Sequence, residues 1–368
     1  MADDITDRLP REAIHDPDRE ARIDADLKFM EDLEAFEAEE EVGLIELPSL
    51  ATEDLLAEIA AAKAQEERRA DPAAVLRAPD LDYDNLAFLS GLTRAEMKRL
   101  TGVWPTVAPD RRRRLVRAMA LRAEDDLTLD FTRALLVAAR DTEATVRAAA
   151  IDALWEADTP DVLATLTTAL RDDAPRVRLA ATNALAPFAA RAAAGELLPG
   201  TDDRLRDALL TLARIRGEPV EVVRRAVAAL GVFDDADTNA LIAATYDRDT
   251  IDDRAAALEA MGRSCNSDYL PTLRAESTAR EREVRFEATR ALGELALGES
   301  TPDVEDRLTD PDRAVRFAAV VALGQIGSRA AMTALREHRG DSPDADWQEA
   351  VDASLAEASY ADNPLFPT

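Results

Sequence analysis

The sequence is poor in cysteine, histidine, lysine and aromatic residues. Among 368 residues there is one cysteine, Cys265, there are two histidines, and 4% of the residues are aromatic. A single cysteine excludes an intrachain disulfide and is typical of a reducing compartment. Cys265 has no His or Lys beside it, so we expect an unreactive loop residue. Few aromatics argue against a β-sandwich and favour close-packed helices of Ala, Leu and Val.

Long apolar runs are also missing. No run approaches the roughly 20 residues of a membrane-spanning helix. The first residues, MADDITDRLP, have neither the basic region nor the apolar core of a signal peptide. We therefore expect a cytoplasmic protein with no membrane partner.

Acidic residues outnumber basic ones, 74 to 45, which gives a formal charge of -29. Such a surface repels phosphate backbones on average, so the charge disfavours nucleic acid as the main ligand. Nearly every cation is Arg, because the lysines are only Lys28, Lys63 and Lys98. A salt-adapted cytosol and a GC-rich genome both explain this bias, and the sequence does not separate them.

One phrase recurs along the C-terminal two thirds of the chain: an apolar residue, Arg, two variable residues, Ala, two variable residues, Ala and Leu, often followed by Gly. The clearest copies are VRAAAIDAL (146–154), VRLAATNAL (177–185), VRFEATRALG (284–293) and VRFAAVVALG (315–324). Weaker copies begin at 222, 253 and 346. Five of the six steps between copies are 31 residues, and the sixth is 31 plus an insertion of 14, which we place within 186–203 as an extended helix and loop.

Each copy has the apolar periodicity of a helix, with small or apolar residues at offsets 0, 4, 7 and 8. Another amphipathic segment precedes each copy, so the pattern predicts two helices per repeat. Asp141, Asp172 and Asp310 lie five residues before the anchor, where they are expected to cap the second helix. A glycine after the Leu or Met is expected at the end of that helix, at Gly231, Gly262, Gly293 and Gly324. Trp347 and its polar neighbours predict a terminal cap.

These features predict an all-α fold, an α-solenoid of stacked antiparallel helix pairs with a period of 31 residues. The repeats resemble the HEAT family, in particular the short bacterial HEAT repeats also found in phycobilin-lyase-like proteins. The resemblance covers about residues 141–358 and implies an extended concave binding surface. Family members include scaffolds, lyase subunits, an oxygenase and DNA glycosylases. The deoxyhypusine hydroxylases of this fold use several His-Glu pairs for a di-iron centre, and this chain has none.

The domain organisation follows from charge and from the repeat. Residues 1–84 are expected to form an acidic, partly disordered arm with one or two helices, ending in a Pro- and Asp-marked linker at 72–84. Thr93 and Glu96 have the spacing of a capping box. Leu115 lies one period before the first clear copy and marks a degenerate repeat. We therefore place the solenoid at 85–358, with clear repeats from 141, and a C-terminal tail at 359–368.

Residues that carry catalytic or metal chemistry are scarce. His15 and His338 are far apart, which argues against a serine-type triad and a histidine zinc site. DRDTIDD (247–253) lacks the glycine and the bidentate glutamate of a calcium loop, so a capped loop is favoured. We predict no catalytic, cofactor-binding or metal-binding residues, no cofactor, and no small-molecule substrate.

Two columns of residues are candidates for a functional or structural role. Arginines recur at one offset, at Arg147, Arg178, Arg254, Arg285 and Arg316. An anion groove is one interpretation, and a structural ladder with Asp141, Asp172 and Asp310 is the favoured one. Offsets 2 and 6 of the second helix should line the concave side or the seam between repeats. These positions are Ala148, Asp152, Leu179 and Asn183 in early copies, and Phe286, Arg290, Phe317 and Val321 in later ones.

The later four residues are the candidate partner-binding surface, because Phe and Arg together are typical of binding hot spots. Burial of both Phe side chains in the seam is the alternative. The leading functional hypothesis is a non-catalytic protein–protein interaction scaffold or adaptor. One alternative is an accessory or chaperone-type subunit of a lyase-like system acting on a cofactor-bearing protein. DNA binding of the glycosylase kind is a third and less favoured hypothesis.

Overall fold

The computed structural model describes residues 72–78, 84–155, 157–248, 250–340 and 345–361, with side chains to 358 in the last range. This part of the chain is built from 17 α-helices and short 3₁₀ turns, and it contains no strand. The N-terminal arm predicted at 1–84 lies mostly outside the described residues, and so does most of the predicted tail. The backbone of the last helix continues to Ala361, past the predicted boundary at 359.

The helices fall into an N-terminal pair followed by alternating first and second helices of the repeats. The N-terminal pair is α1 (Pro72–Arg77) and α2 (Arg94–Val103). The second helices are α3 (Pro109–Asp125), α5 (Ala144–Asp152), α7 (Pro175–Ala193), α9 (Val220–Leu230), α11 (Ile251–Arg263), α13 (Arg282–Glu294), α15 (Arg313–Ile326) and α17 (Ala345–Ala361). The first helices are α4 (Thr132–Ala138), α6 (Pro160–Ala169), α8 (Thr201–Ala213), α10 (Ala236–Tyr246), α12 (Leu270–Glu276), α14 (Thr301–Glu305) and α16 (Arg329–Arg339).

Each second helix packs against the second helix of the next repeat, in an unbroken series from α3 to α17. Each first helix packs against the second helix of its own repeat. The anchor residues of the repeat phrase explain this stacking, because Val146, Val177, Val284 and Val315 are all fully buried. A single helix pair has too little apolar surface to fold alone, so burial of the anchors requires neighbouring repeats. The predicted all-α solenoid is confirmed.

The irregular step of the repeat falls at α7. This helix has 19 residues, against 13 in α11 and α13. It is followed by a loop in which Gly195 and Gly200 have φ values of 75° and 79°. That left-handed conformation strains side chains with a Cβ, so glycine suits both positions. The inserted residues thus lengthen one second helix and its following loop.

The N-terminal boundary shows one agreement and one difference. The capping box is confirmed, because the Thr93 side chain accepts from the Glu96 N–H and the Glu96 carboxylate accepts from the Thr93 N–H. The predicted linker at 72–84 begins instead with helix α1, which packs against α2 and buries Val75 and Leu76. The packed unit therefore includes residues before 85.

Most of the glycines of the repeat phrase do not end their helices. Gly262, Gly293 and Gly324 lie inside α11, α13 and α15 in the right-handed conformation. A Cβ on Gly262 would lie 2.6 Å from the Cα of Ala291, and one on Gly324 would lie 2.8 Å from the Cβ of Ser354. These three glycines thus lie in the last turn of their helices, as predicted, but they do not form a left-handed helix end. The glycines are required because adjacent second helices approach there with no room for a side chain.

The repeat aspartates hold the turn before the second helix and are not its N-cap residues. The Asp172 carboxylate accepts from the backbone N–H of Ala174, and Asp310 accepts from that of Asp312. Ala174 and Asp312 are themselves the N-cap residues of α7 and α15. Asp141 makes the same bond to Glu143. The N-cap residue therefore lies two positions later than predicted, and each aspartate carboxylate also binds an arginine.

Candidate functional site

The arginines of the repeat phrase reach carboxylates in the following repeat. The Nε and Nη2 atoms of Arg147 donate to the two carboxylate oxygens of Asp172, at 2.7 and 2.8 Å. Arg285 binds Asp310 in the same two-point manner, at 2.8 and 3.0 Å. The Nη1 atom of Arg147 donates to the carbonyl oxygen of Asp141, within its own repeat. Each guanidinium thus ties the loop of its own repeat to the loop of the next.

Two other arginines of the repeat phrase bind a carboxylate at a different spacing along the chain. Arg178 binds Glu218, with both N–O distances 2.9 Å, and Arg254 binds Glu276. Arg316 donates to the carbonyl oxygen of Asp310 at 2.8 Å. These donors are occupied inside the array, which is the arrangement expected of a structural ladder.

Sequence reasoning missed two members of the ladder. Arg224, one position later than the pattern predicts, donates to Asp253 at 2.7 Å and to Asp252 at 2.8 Å. Arg112 is buried and donates to Asp141 at 2.9 Å. The acidic pair Asp252 and Asp253 in the next repeat indicates this arginine, but the prediction placed an arginine at one fixed offset in every repeat and so left it out.

The four arginines of the basic run 111–114 lie in different environments. Arg111 donates to the carbonyl of Leu76 at 2.8 Å, and Arg112 belongs to the ladder. Arg113 is half-buried beside Thr145, with Nε 3.3 Å from its hydroxyl oxygen. Arg114 is exposed. The run is therefore not a single solvated face.

The predicted partner-binding residues lie on the neighbouring helices α13 and α15, and none of them lines either of the two cavities described below. Phe317 is half-buried against the core, and its ring meets the Trp347 ring edge-on with centroids 5.5 Å apart. The Arg313 guanidinium lies 4.7 Å above the Phe317 ring. Phe286 is partly exposed, and Val321 is 45% exposed. Phe317 thus belongs largely to the seam with the last repeat, where buried Trp347 replaces the usual Arg.

Arg290 is neutralised by its own surroundings. It contacts Glu294 and lies 2.8 Å from Glu287, and both carboxylates are on α13. Burial raises the pKa of Glu287 and of Glu294 against the opposing effect of Arg290. Glu259 on the preceding second helix lies 2.9 Å from Arg263 and 3.5 Å from Arg225. We call the exposed side of the second helices the second-helix face. On α9, α11 and α13 this face is a network in which positive and negative side chains alternate.

A groove of about 530 Å³ crosses α3, α5 and α7, and we call it the α3–α7 groove. Its apolar walls include Ala148 and Leu179, from the offsets predicted to face away from the anchors. Its polar lining residues are Arg113, Arg117, Thr145, Asp152, Arg176 and Asn183. Burial by the groove walls raises the pKa of Asp152, although part of this residue stays exposed. Because Asp152 is the one carboxylate among these polar residues, the groove offers mainly hydrogen-bond donors.

Two exposed apolar side chains accompany the helices of this groove. Trp155 occupies the position that is glycine in the later repeats, and α5 ends three residues earlier, at Asp152. Its side chain is 57% exposed. Leu121 on α3, four residues after Arg117, is 53% exposed. Large exposed apolar residues together with arginine are typical of protein-binding surfaces.

A second cavity, of about 810 Å³, lies at the C-terminal ends of the second helices α7, α9, α11, α13, α15 and α17 and the turns that follow them. Its wall includes Pro187, in the lengthened part of α7, and Gly293 and Gly324 from the close helix contacts. Arg263, Glu294 and Glu357 supply its charges. The Oε2 atom of Glu294 is buried and has no hydrogen-bond partner within the described residues.

Within the described ranges, no three His, Cys, Asp or Glu side chains are grouped so that they could hold a metal ion. None of the described helices combines the length and the apolar character needed to cross a membrane. Cys265 is exposed in the loop after α11.

The chain is similar to several solved structures at low sequence identity. Escherichia coli YibA is 18% identical, with a TM-score of 0.40 over 75% of this chain and 95% of its own. Human deoxyhypusine hydroxylase is 16% identical, with a TM-score of 0.32 over 82% of this chain and 99% of its own. An engineered protein is 16% identical, with a TM-score of 0.40 over 78% and 88% of the two chains. No curated protein sequence matches the chain.

The family model for HEAT repeats matches three segments of the chain, residues 108–186, 132–211 and 270–356, of which the first two overlap. Together they cover slightly more than half of the sequence. The segments contain the four clearest copies of the repeat phrase, those that begin at 146, 177, 284 and 315, whereas helices α9 and α11 lie between the matched segments. The chain belongs to the HEAT-repeat family.

Proposed function

We propose that this chain is a non-catalytic interaction scaffold, which binds a segment of a partner protein along the exposed side of its second helices. One observation carries the proposal: both cavities described above are lined by second helices and the turns that follow them. No first helix contributes to either lining. Concave surfaces formed by one helix layer are the surfaces that solenoids use to bind extended ligands.

The distribution of polar groups supports a role in binding. The ladder arginines are occupied by loop carboxylates or, for Arg316, by loop carbonyl oxygens, so their arrangement serves the stacking of repeats. The side chains left over on the second-helix face are a mixture of Arg, Asn and large apolar residues. Val321, from the surface predicted by sequence, lies on the same layer and stays 45% exposed. This mixture suits a protein segment better than a small molecule, because neither of the two cavities described above is enclosed on all sides.

Site-specific photo-crosslinking tests which helix layer binds proteins. A photoreactive amino acid is placed at Asn183 or Ala190, exposed on second helix α7, in cells that express the chain. The matched controls are Thr168 on α6 and Ala243 on α10, which are exposed on first helices. We expect discrete protein adducts from the α7 positions and few from the controls. Adducts from the first helices alone, or equally from all four positions, would overturn the proposal.

A further inference from the structure

The second-helix face changes its charge pairing along the array. From α9 to α13 its cations face carboxylates: Arg225 and Arg263 lie near Glu259, and Arg290 lies between two glutamates. In the α3–α7 groove, Arg117 and Arg176 are exposed and have no ion pair or hydrogen bond to any described residue. The unsatisfied cations of this face are therefore found in the early repeats.

The donors of the α3–α7 groove define the chemistry of its ligand. Arg113, Arg117 and Arg176 present guanidinium groups, and Thr145 and Asn183 add neutral donors. Guanidinium groups bind carboxylates in charge-assisted, often two-point hydrogen bonds. The chain has a net charge of -29, but solvent ions screen exposed charges beyond about 10 Å at 0.1 M salt. An anionic group inside the groove is therefore governed by the local arginines more than by the distant acidic surface.

The apolar residues indicate that the ligand is more than a simple anion. Trp155 takes the place of the glycine found in the repeats that begin at 222, 253, 284 and 315, and it is 57% exposed. It follows the groove residue Asp152 by three residues, just after the end of α5. Leu121 follows the groove residue Arg117 by four residues, on the same side of α3. An exposed tryptophan this close along the chain to the groove can bury an apolar side chain of a ligand whose carboxylates bind the arginines.

We propose that the α3–α7 groove binds an acidic peptide segment of a partner protein, with carboxylates on Arg117 and Arg176 and an apolar side chain against Trp155. This inference rests on the proposed function and assigns the chemical class of its partner. Asp152 is the one carboxylate in the groove lining, and it disfavours a uniformly anionic ligand directly above it. The peptide would therefore have acidic residues separated by apolar ones.

Fluorescence anisotropy with defined probes tests the proposal. The probe is a short fluorescein-labelled peptide in which Glu alternates with Leu, and the matched probe has Gln at every Glu. The groove variant is Arg117→Gln with Arg176→Gln. The control variant is Arg114→Gln with Arg140→Gln, which removes two other exposed arginines that line neither cavity. Thermal melts followed by circular dichroism establish that both variants fold.

We expect the acidic peptide to bind the wild type, and the groove variant to bind it about tenfold more weakly or worse. The control variant should bind like the wild type, and the Gln peptide should bind weakly to all three. Equal binding of the acidic and Gln peptides, or equal loss in both variants, would overturn the proposal. Tighter binding of a single-stranded oligodeoxynucleotide of equal charge would overturn it in favour of nucleic acid.

The two proposals fail in distinguishable ways. If second-helix crosslinks form but the acidic and Gln peptides bind alike, the scaffold function stands and the acidic preference is wrong. If crosslinks come only from the first helices, the scaffold surface itself is wrong. Crosslinking at Asn183, inside the groove, should also decrease when the acidic peptide is added in excess.

Discussion

Gly293 on α13 lies directly against Ala322 on α15, so that a Cβ on the glycine would overlap the Cα and Cβ of the alanine. The same relationship joins Gly262 to Ala291 and Gly324 to Ser354. Close helix contacts therefore recur at one position of the repeat.

Replacement of Gly293 by alanine should destabilise the fold, because the added methyl group forces two tightly packed helices apart. We expect a loss of about 1–3 kcal/mol in the free energy of unfolding, measured by urea titration. Gly102→Ala is the matched control, since Gly102 lies in α2 with open space around it. That substitution should leave stability unchanged or raise it by up to about 1 kcal/mol. Equal effects of the two substitutions would contradict the close-contact explanation.

Removal of a ladder arginine should lower the free energy of unfolding more than removal of an exposed arginine. Arg285→Gln leaves the buried carboxylate of Asp310 without its main partner, and we expect a loss of about 2 kcal/mol. Arg282, three residues earlier, is exposed; it pairs with the exposed Glu283, and its Nη1 atom lies 3.7 Å from the Asp312 carboxylate. Arg282→Gln should therefore leave the urea midpoint almost unchanged. The ladder would have no stabilising role if Arg285→Gln also had no effect on the midpoint.

The stability contribution of Asp253 should depend on pH. Its ion pair with Arg224 holds the pKa of the Asp253 carboxyl below its ordinary value. A folded-state pKa below the unfolded one stabilises the fold above the unfolded pKa of about 4, and this effect disappears as pH falls through the folded value. We expect the stability difference between wild type and Asp253→Asn to be largest near neutral pH and to shrink below about pH 4. Urea unfolding at several pH values measures it, and a pH-independent difference would contradict the assignment.

Neutralising the carboxylate in the α3–α7 groove should strengthen binding of an acidic peptide. Asp152→Asn removes the one negative charge of the groove lining, and we expect about a threefold lower Kd at neutral pH. Asp161→Asn, on the exposed side of first helix α6, is the control and should not change the Kd. Fluorescence anisotropy with the Glu–Leu peptide compares the two. Unchanged or weaker binding by Asp152→Asn would argue against a carboxylate ligand.

Tryptophan fluorescence should report on the groove. Trp104 and Trp347 are buried, whereas Trp155 is largely exposed. Acrylamide should therefore quench one accessible component, which Trp155→Phe removes. If the groove binds the acidic peptide as proposed, an excess of that peptide should protect this component in the wild type. Identical quenching of wild type and Trp155→Phe would show that Trp155 is not the exposed fluorophore.

The period of 31 residues predicts the second helices and their buried anchors well, because both depend on local periodicity. The role of Gly262 depends on Ala291, a residue of the next repeat, and a left-handed helix end and a close helix contact both require glycine. Arg224 was missed because it lies one position after the offset shared by the other ladder arginines, although its pairing with an acidic residue of the next repeat persists. The environment of Phe317 depends on Trp347 and Arg313, so its helical offset alone could not assign it to the seam.

The glycine contacts also divide the array mechanically. From α9 onward, neighbouring backbones touch, and a change in the angle between two helices would produce an immediate collision. At the corresponding position of the earlier repeats the chain has Trp155 and Ala186. We therefore expect the later repeats to act as a stiff support, and bending to concentrate at α3–α7. The array would adjust its curvature at the one place where, by our proposal, it holds its ligand.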